Sequence, residues 1–373
     1  MKRRNFLRKS VLLPSLLGFH NLLWSKYKSA SGLSMEQWKN VVDYARWCPT
    51  VHNLQAHRIQ ITSASRAALY YDTERTLPYG DPESVFLKVA LGIFIEHLSI
   101  AAALYGKRIE VEEILPTTHR KGKLIHFANL KLTERLQEKE IAHELILKRR
   151  TSRIVYERRA ISPRTLDKMK AEAEAFSHYF DWSSNPKLIN TFMNINQKAL
   201  FQDLADDDVR KELDDLFRYN QKQAKETRDG LSAKCMAFPS ALIRSVFQKH
   251  KRWTKPPLKG LLKKTYLSKF KNTQTLAWFS GKFETSEDLV QSGRMFARAW
   301  LRATEDNCYL QPFGSLITNP IAYAQINEAL PGSFDKGKIW MIFRIGHSDE
   351  PARSERLELN TILLKDEQIG GST

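Results

Sequence analysis

The chain is short of cysteine and, in two stretches, of acid. Its three cysteines, Cys48, Cys235 and Cys308, are scattered over 373 residues with no Cys-x-x-Cys pair. That excludes a disulfide scaffold and a cysteine-based zinc site. There is no G-x-S-x-G, no H-E-x-x-H, no Walker P-loop and no G-x-G-x-x-G among the 16 glycines. Serine hydrolase, zincin, P-loop and Rossmann readings lose their sequence basis with them. The ten histidines are dispersed, and no metal site is expected. What remains is 42% hydrophobic and 27% charged, the composition of a globular protein with a sizeable core. The length fits two or three domains, or one large one carrying an insertion.

The net charge is +18, and its placement is uneven. Residues 1–30 hold seven Lys and Arg and no acid. Arg3-Arg4-Asn5-Phe6-Leu7-Arg8-Lys9 precedes a short apolar run from Val11 to Trp24, interrupted by Pro14 and Gly18. A basic segment before a weak apolar one reads as an address rather than a membrane span, and this one resembles a twin-arginine export signal; a basic amphipathic helix on the body of the protein is the alternative. Its partner would be the twin-arginine machinery and its destination the periplasm, with a membrane tether if the segment is retained. The second acid-free stretch runs from Met236 to Phe283, with eleven Lys and Arg. It follows an acidic stretch, Asp203, Asp206, Asp207, Asp208, Glu212, Asp214 and Asp215. Residues 203–275 therefore read as an insertion. Its charges are either solvated or paired with that acidic stretch, or it forms a lid over a site. No helix-turn-helix, zinc-finger or RNP pattern occurs, so nucleic acid is not expected as a partner. The surplus leaves surface contact with an anionic membrane open.

The elements can be placed coarsely. Ser34 and Gln37 form a capping box before a helix with Trp38, Val41, Val42 and Ala45 on one face. Arg58–Ile61 and Ala68–Tyr71 read as paired strands. Val85–Tyr105 is apolar nearly all round, hence a buried central helix closed by Gly106. Leu124–Leu132 reads as a strand and 139–147 as a helix. Ser162-Pro163 starts another helix, Ser286–Asp306 a long one, and Asn319-Pro320 a third that ends at Pro331-Gly332. Ile339–Ile345 is a central type of strand.

Three segments carry candidate chemistry. Pro49-Thr50-Val51-His52-Asn53-Leu54-Gln55 presents a hydroxyl and two amides, which suit the mixed edge of a flat heterocycle; such loops also commonly cap their own backbone. Arg149-Arg150-Thr151-Ser152-Arg153 interleaves guanidiniums with hydroxyls, as a phosphate requires. After the last strand, Arg353 and Arg356 offer a second clamp.

In order and spacing these segments resemble the nitroreductase-like FMN flavoprotein family. Pro49, Thr50, Asn53 and Gln55 match its P-[ST]-x-x-N-x-Q pattern, and Arg149, Thr151 and Arg153 its R-x-[ST]-x-[RK] pattern. Tyr309–Ser315, after a helix with Gly293 and Arg294, resembles the family's segment beside the isoalloxazine. The two patterns stand in reverse of the usual order in a longer chain, which resembles the Acg-type subgroup. The resemblance implies an α+β fold of two fused halves, 34–147 and 148–363. These would form a pseudo-dimer around a central antiparallel or mixed sheet with helices. It implies one FMN, its phosphate held by Arg149, Thr151, Arg153, Arg353 and Arg356. Thr50, Asn53 and Gln55 would meet the ring or ribityl edge, and Pro312, Phe313 and Gly314 would lie along the ring. It implies flavin-based reduction of a small-molecule electron acceptor, a nitro compound or quinone, with no catalytic side chain. Ala56-His57 departs from the family's usual Pro-Trp. A covered, sequestering flavoprotein and a basic surface-binding protein without cofactor stay open as alternatives, as do a monomer and a homodimer.

Overall fold

In the computed structural model the described residues are 32–117, 122–135, 141–330 and 333–368; the export-type segment lies outside them. The Ser34 hydroxyl accepts from the Gln37 amide and the Gln37 side chain from Ser34 N–H, which opens helix α1 (Met35–Ala45) as the capping box predicts. A tight turn joins β1 (His57–Ser63) to β2 (Arg66–Asp72). Helix α2 (Val85–Ala102) follows. It runs through a 3-10 turn to Tyr105 and stops at Gly106, whose φ of 69° needs no Cβ. Then come β3 (Lys107–Ile114) and β4 (Leu124–Glu134), giving an antiparallel sheet of order β1-β2-β4-β3.

The rest of the chain builds a second sheet. Helix α3 (Pro163–Ala175) leads into β5 (Tyr179–Ser183). The insertion is mostly helical, with helices such as Asp207–Leu216, Ser240–Gln248 and Leu258–Ser268, and adds a separate short parallel pair, β6 (Phe217–Arg218) and β7 (Leu231–Ser232). Strand β8 (Thr275–Gly281), helix α4 (Ser286–Glu305), β9 (Tyr309–Pro312) and β10 (Lys338–Gly346) complete an antiparallel sheet of order β5-β8-β10-β9. The α+β class holds, with the strands dealt into two four-stranded sheets rather than one central sheet. The helix expected over 139–147 is a single turn and a half, Glu144–Lys148; residues 136–140 lie outside the described set.

One apolar core runs through both sheets. Trp38, Phe94 and Phe127 of the first part pack in it with Phe279, Phe296 and Trp340 of the second. At its centre α2 and α4 cross backbone to backbone. A Cβ added at Gly293 would lie 2.0 Å from the Val89 carbonyl oxygen, and one at Gly92 would lie 2.2 Å from that of Val290. Gly293 therefore serves the helix crossing. Its neighbour Arg294 serves a buried ladder of charge. Glu96, 3% exposed on α2, accepts from Arg294 Nε at 2.9 Å and Arg298 Nη1 at 3.1 Å. Glu172 of α3 takes the remaining bonds, from Arg298 Nε at 2.6 Å and Arg302 Nε at 2.7 Å. Arg294, Arg298 and Arg302 recur every four residues, on one face of α4. Burial opposes the Arg298 charge, but Glu96 and Glu172 outweigh it and raise its pKa.

Candidate functional site

Helix α1 ends at Ala45, and the chain turns through Cys48-Pro49 into a tight loop. His52, Asn53 and Gln55 all have positive φ, 47°, 59° and 55°. Three such residues within four positions are costly for L-amino acids, so something must hold them. Thr50 Oγ1 accepts from the Gln55 amide at 3.0 Å. Gln55, fully buried, gives its Nε2 protons to the carbonyls of Asn53 (3.3 Å) and Arg228 (2.8 Å), while its Oε1 accepts from Leu357 N–H at 2.8 Å. Thr50 and Gln55 are thus spent on the chain itself. Asn53 donates to the Glu355 carbonyl at 3.2 Å and accepts from Arg356 Nη1 at 2.8 Å. The loop and the chain's last clamp are joined, though they are some 300 residues apart.

Arg356 is buried with Nη1 and Nη2 also on the carbonyls of Glu355, Trp47 and Cys48, and its Nε has no partner. Arg353 lies 3.4 Å above the Trp47 ring. Arg149, at the C-terminus of helix Glu144–Lys148, is 7% exposed and sits 4.6 Å from the centre of the Trp300 ring of α4. Its Nε and Nη1 are buried without a partner. Burial, with Arg356 adding to it, pushes the Arg149 pKa down to about 9. Burial likewise brings Arg356 down to about 10. No carboxylate forms an ion pair with Arg149, Arg153, Arg353 or Arg356 among the described residues. Buried charge without a counter-ion is expensive; a bound anion would supply what is missing.

Thr151 pairs with Leu310 through an isolated parallel bridge, which lays the Arg149–Arg153 segment along β9. Arg153 Nη1 reaches the Cys235 carbonyl at 3.5 Å. It also lies near His52, whose pKa falls to about 4 through burial and then through the Arg153 charge. Beyond β9, Phe313 turns its ring onto Phe270 in a second apolar cluster. The Phe313 side chain is thus committed to the core, whereas a Cβ at Gly314 would meet nothing within 4 Å. A cleft of about 340 Å³, open solvent included, lies beside the loop, walled by Thr50, Leu54, Ala56, His57, Leu87 and Leu91.

Sequence reasoning missed His97 and Trp300. His97 is fully buried on α2, and neither ring nitrogen has a partner; Trp300 Nε1 also lacks one. Burial, then Arg149 and Arg356, hold the His97 pKa well below its ordinary value. His57, stacked on Phe94, is held down in the same way, first by burial and then by Arg58, Arg356 and His97. The signal was present: His97 follows Glu96 inside an otherwise apolar helix.

The insertion lies against this region. Gly230 N–H donates to the Asn53 carbonyl at 3.3 Å, and Asp229 pairs with Arg75 (2.8 Å) and Arg218 (2.7 Å). Arg228 pairs with Glu358, and the Cys235 thiol points to the Ala352 carbonyl at 3.7 Å. Residues 228–235 therefore touch the loop, Arg153 and the segment 352–358.

No family model matches the chain, and no curated protein matches it. Among solved structures it is similar to the FMN-dependent nitroreductase NfnB of Mycobacterium smegmatis, with 14% identity, a TM-score of 0.35, and coverage of 60% of this chain and 96% of that one. A nitroreductase with bound FMN from Bacteroides fragilis gives 13% identity, a TM-score of 0.34 and coverage of 60% and 97%. A nitroreductase-like family protein of Bacillus cereus gives 12%, 0.35, 62% and 99%.

Proposed function

We propose that the chain is an exported FMN-binding oxidoreductase of nitroreductase type, acting on nitro, quinone or similar small electrophiles. The observation that carries this reading is the pair of buried arginines without a carboxylate partner. Arg149 and Arg356 keep three guanidinium nitrogens unbonded in a region with no carboxylate partner. A phosphate dianion would satisfy them with charge-assisted bonds, and the hydroxyl of Thr151 and the Arg153 fork stand on the same segment. Asn53 holds Arg356 in position from the opposite side. Bound FMN would supply hydride transfer at its N5. The chain would bind and orient it, with Pro312 to Gly314 giving backbone contact beside the ring and water supplying protons. The two parts, 34–147 and 148–363, would each furnish one wall of a single site.

The contacts of residues 228–235 with the loop and Arg153 favour a second reading, a flavin-sequestering protein with the ring covered. Both readings predict a yellow protein with one FMN per chain; a colourless chain that cannot be reconstituted overturns both, and leaves a basic surface-binding protein without cofactor. Turnover of a nitroarene or quinone by chemically reduced protein selects the enzyme. The site itself is tested by Arg153→Ala, which should weaken FMN strongly and riboflavin, which lacks the phosphate, hardly at all. Equal loss for both ligands would make Arg153 a support of the fold. Export is tested by replacing Arg3 and Arg4 together with Lys: charge is kept, and the folded chain should stay in the cytoplasm.

A further inference from the structure

The eleven basic residues from Met236 to Phe283 invite a search for their counter-ions, and the acidic stretch before them does not provide these. Five of its seven carboxylates are engaged elsewhere. Asp203 accepts from Asn319 and Asp206 caps Asp208 and Val209. Asp207 pairs with Arg210, Glu212 accepts from the amides of Tyr79 and Gly80, and Asp214 accepts from the Tyr219 hydroxyl. Asp207 is held down first by Arg210 and only then by His250 and Lys251.

Arg244, Lys249, Lys251, Arg252, Lys255, Lys259, Lys263, Lys264 and Lys271 are all exposed. None of these nine pairs with a carboxylate among the described residues. Helix Leu258–Ser268 has no buried residue, and its Leu261 is 54% exposed between Gly260 and the Lys263-Lys264 pair. Aromatic side chains suited to stacking on bases are not exposed here: Phe247 and Phe270 are buried, Trp253 donates to Ser245 Oγ, and Tyr266 bonds Asn196.

We propose that residues 244–271 form a docking face for anionic phospholipid headgroups, with Leu261 as its apolar contact. Uncompensated lysines at a surface, interleaved with leucine, match the negative potential and apolar margin of such a membrane. They offer little to a base or to a second copy of this chain.

The test is co-sedimentation of the full chain with vesicles of phosphatidylglycerol and phosphatidylcholine, against vesicles of phosphatidylcholine alone. A variant with Lys255, Lys259, Lys263 and Lys264 all changed to Gln is compared with a control that loses equal charge elsewhere, at Lys39, Lys170, Lys187 and Lys222. The basic N-terminus is the same in both, so its binding cancels. At about fivefold per lysine near a charged surface, the first variant should bind anionic vesicles more than tenfold more weakly, and the control within about twofold of the parent. Leu261→Ser should weaken binding further at constant charge. Equal losses in the two lysine variants overturn the assignment, as does no loss in either. Tighter binding to duplex DNA than to anionic vesicles at the same salt would overturn it in favour of nucleic acid.

Discussion

Glu96 and His97 are neighbours on α2, and each meets a different group of arginines. Glu96 touches Arg294 and Arg298, Glu172 continues the chain to Arg302, and Glu305 closes it at 2.7 Å. In that ladder each part-buried guanidinium has a carboxylate. His97 lies near Arg149 and Arg356, which are buried more deeply than the ladder arginines and pair with no carboxylate. The first group is complete within the chain and so is structural. The second keeps three buried guanidinium nitrogens without a partner, which makes it the candidate site. Arginine by itself does not separate the two; buried guanidinium nitrogens left without any partner do.

Breaking the ladder should have the largest effect. Glu96→Gln leaves Arg294 without its carboxylate and Arg298 with Glu172 alone, and breaking a buried pair costs up to about 3–5 kcal/mol. Urea denaturation should show that loss; a loss below about 1 kcal/mol would mean that the ladder is hydrated and carries little. Next comes the crossing that brings Glu96 to α4. Gly293→Ala would force its Cβ against the Val89 carbonyl. Parting two packed helices should cost about 1–3 kcal/mol, with near-ultraviolet dichroism altered as well.

At the unpaired group the same logic reverses sign. Arg149→Met removes a buried charge that has no counter-ion, so the cofactor-free protein should become more stable by about 1 kcal/mol or more. The same change should weaken FMN about tenfold to a hundredfold, since a charge-assisted bond contributes about 1.5–3 kcal/mol. Riboflavin should be nearly unaffected. Thermal melting with and without each ligand reads both effects. A destabilised apo protein would place Arg149 with the structural arginines.

What the sequence reveals follows from the range of each interaction. The capping box at Ser34, the apolar length of α2 and the Asn319-Pro320 start are local patterns, and each is found where expected. The loop at Asn53 and the Arg149 segment were also visible as residue types. Their state of bonding was not. Gln55 reads as a ligand but is spent on Leu357 and Arg228, partners 302 and 173 residues away. The Glu96–Arg298 contact spans 202 residues and leaves no periodic trace beyond arginines spaced by four. The insertion's place over the loop depends on Gly230 and Asp229 meeting Asn53 and Arg75, which no composition shift announces.

Acid titration separates the two groups with the smallest perturbation. His57 and His97 have pKa values held well below the ordinary value, and His52 is held at about 4. A histidine depressed in the folded state stabilises the fold fully above its unfolded pKa, near 6.5. That contribution is lost as pH falls, because the unfolded chain gains protons that the folded one refuses. Each such group adds up to about 1.4 kcal/mol per pH unit to the slope, and for His52 the loss levels off near 4. His178, lowered by burial, contributes with the same sign. For Glu96, burial raises the pKa, but Arg294 and Arg298 overcome this and lower it. Its contribution is therefore present above the unfolded carboxylate range and lost only as pH falls through the folded value. Between pH 6.5 and 5 the ladder should be silent and the histidines should set the slope. His97→Gln should flatten the slope in that window, whereas Glu96→Gln should lower stability there and leave the slope unchanged. Bound phosphate, by offsetting the charges of Arg149 and Arg356 around His97, should flatten it as well. Equal slopes for the parent and His97→Gln would mean that His97 is protonated in the fold, and that the unpaired group already holds an anion of its own.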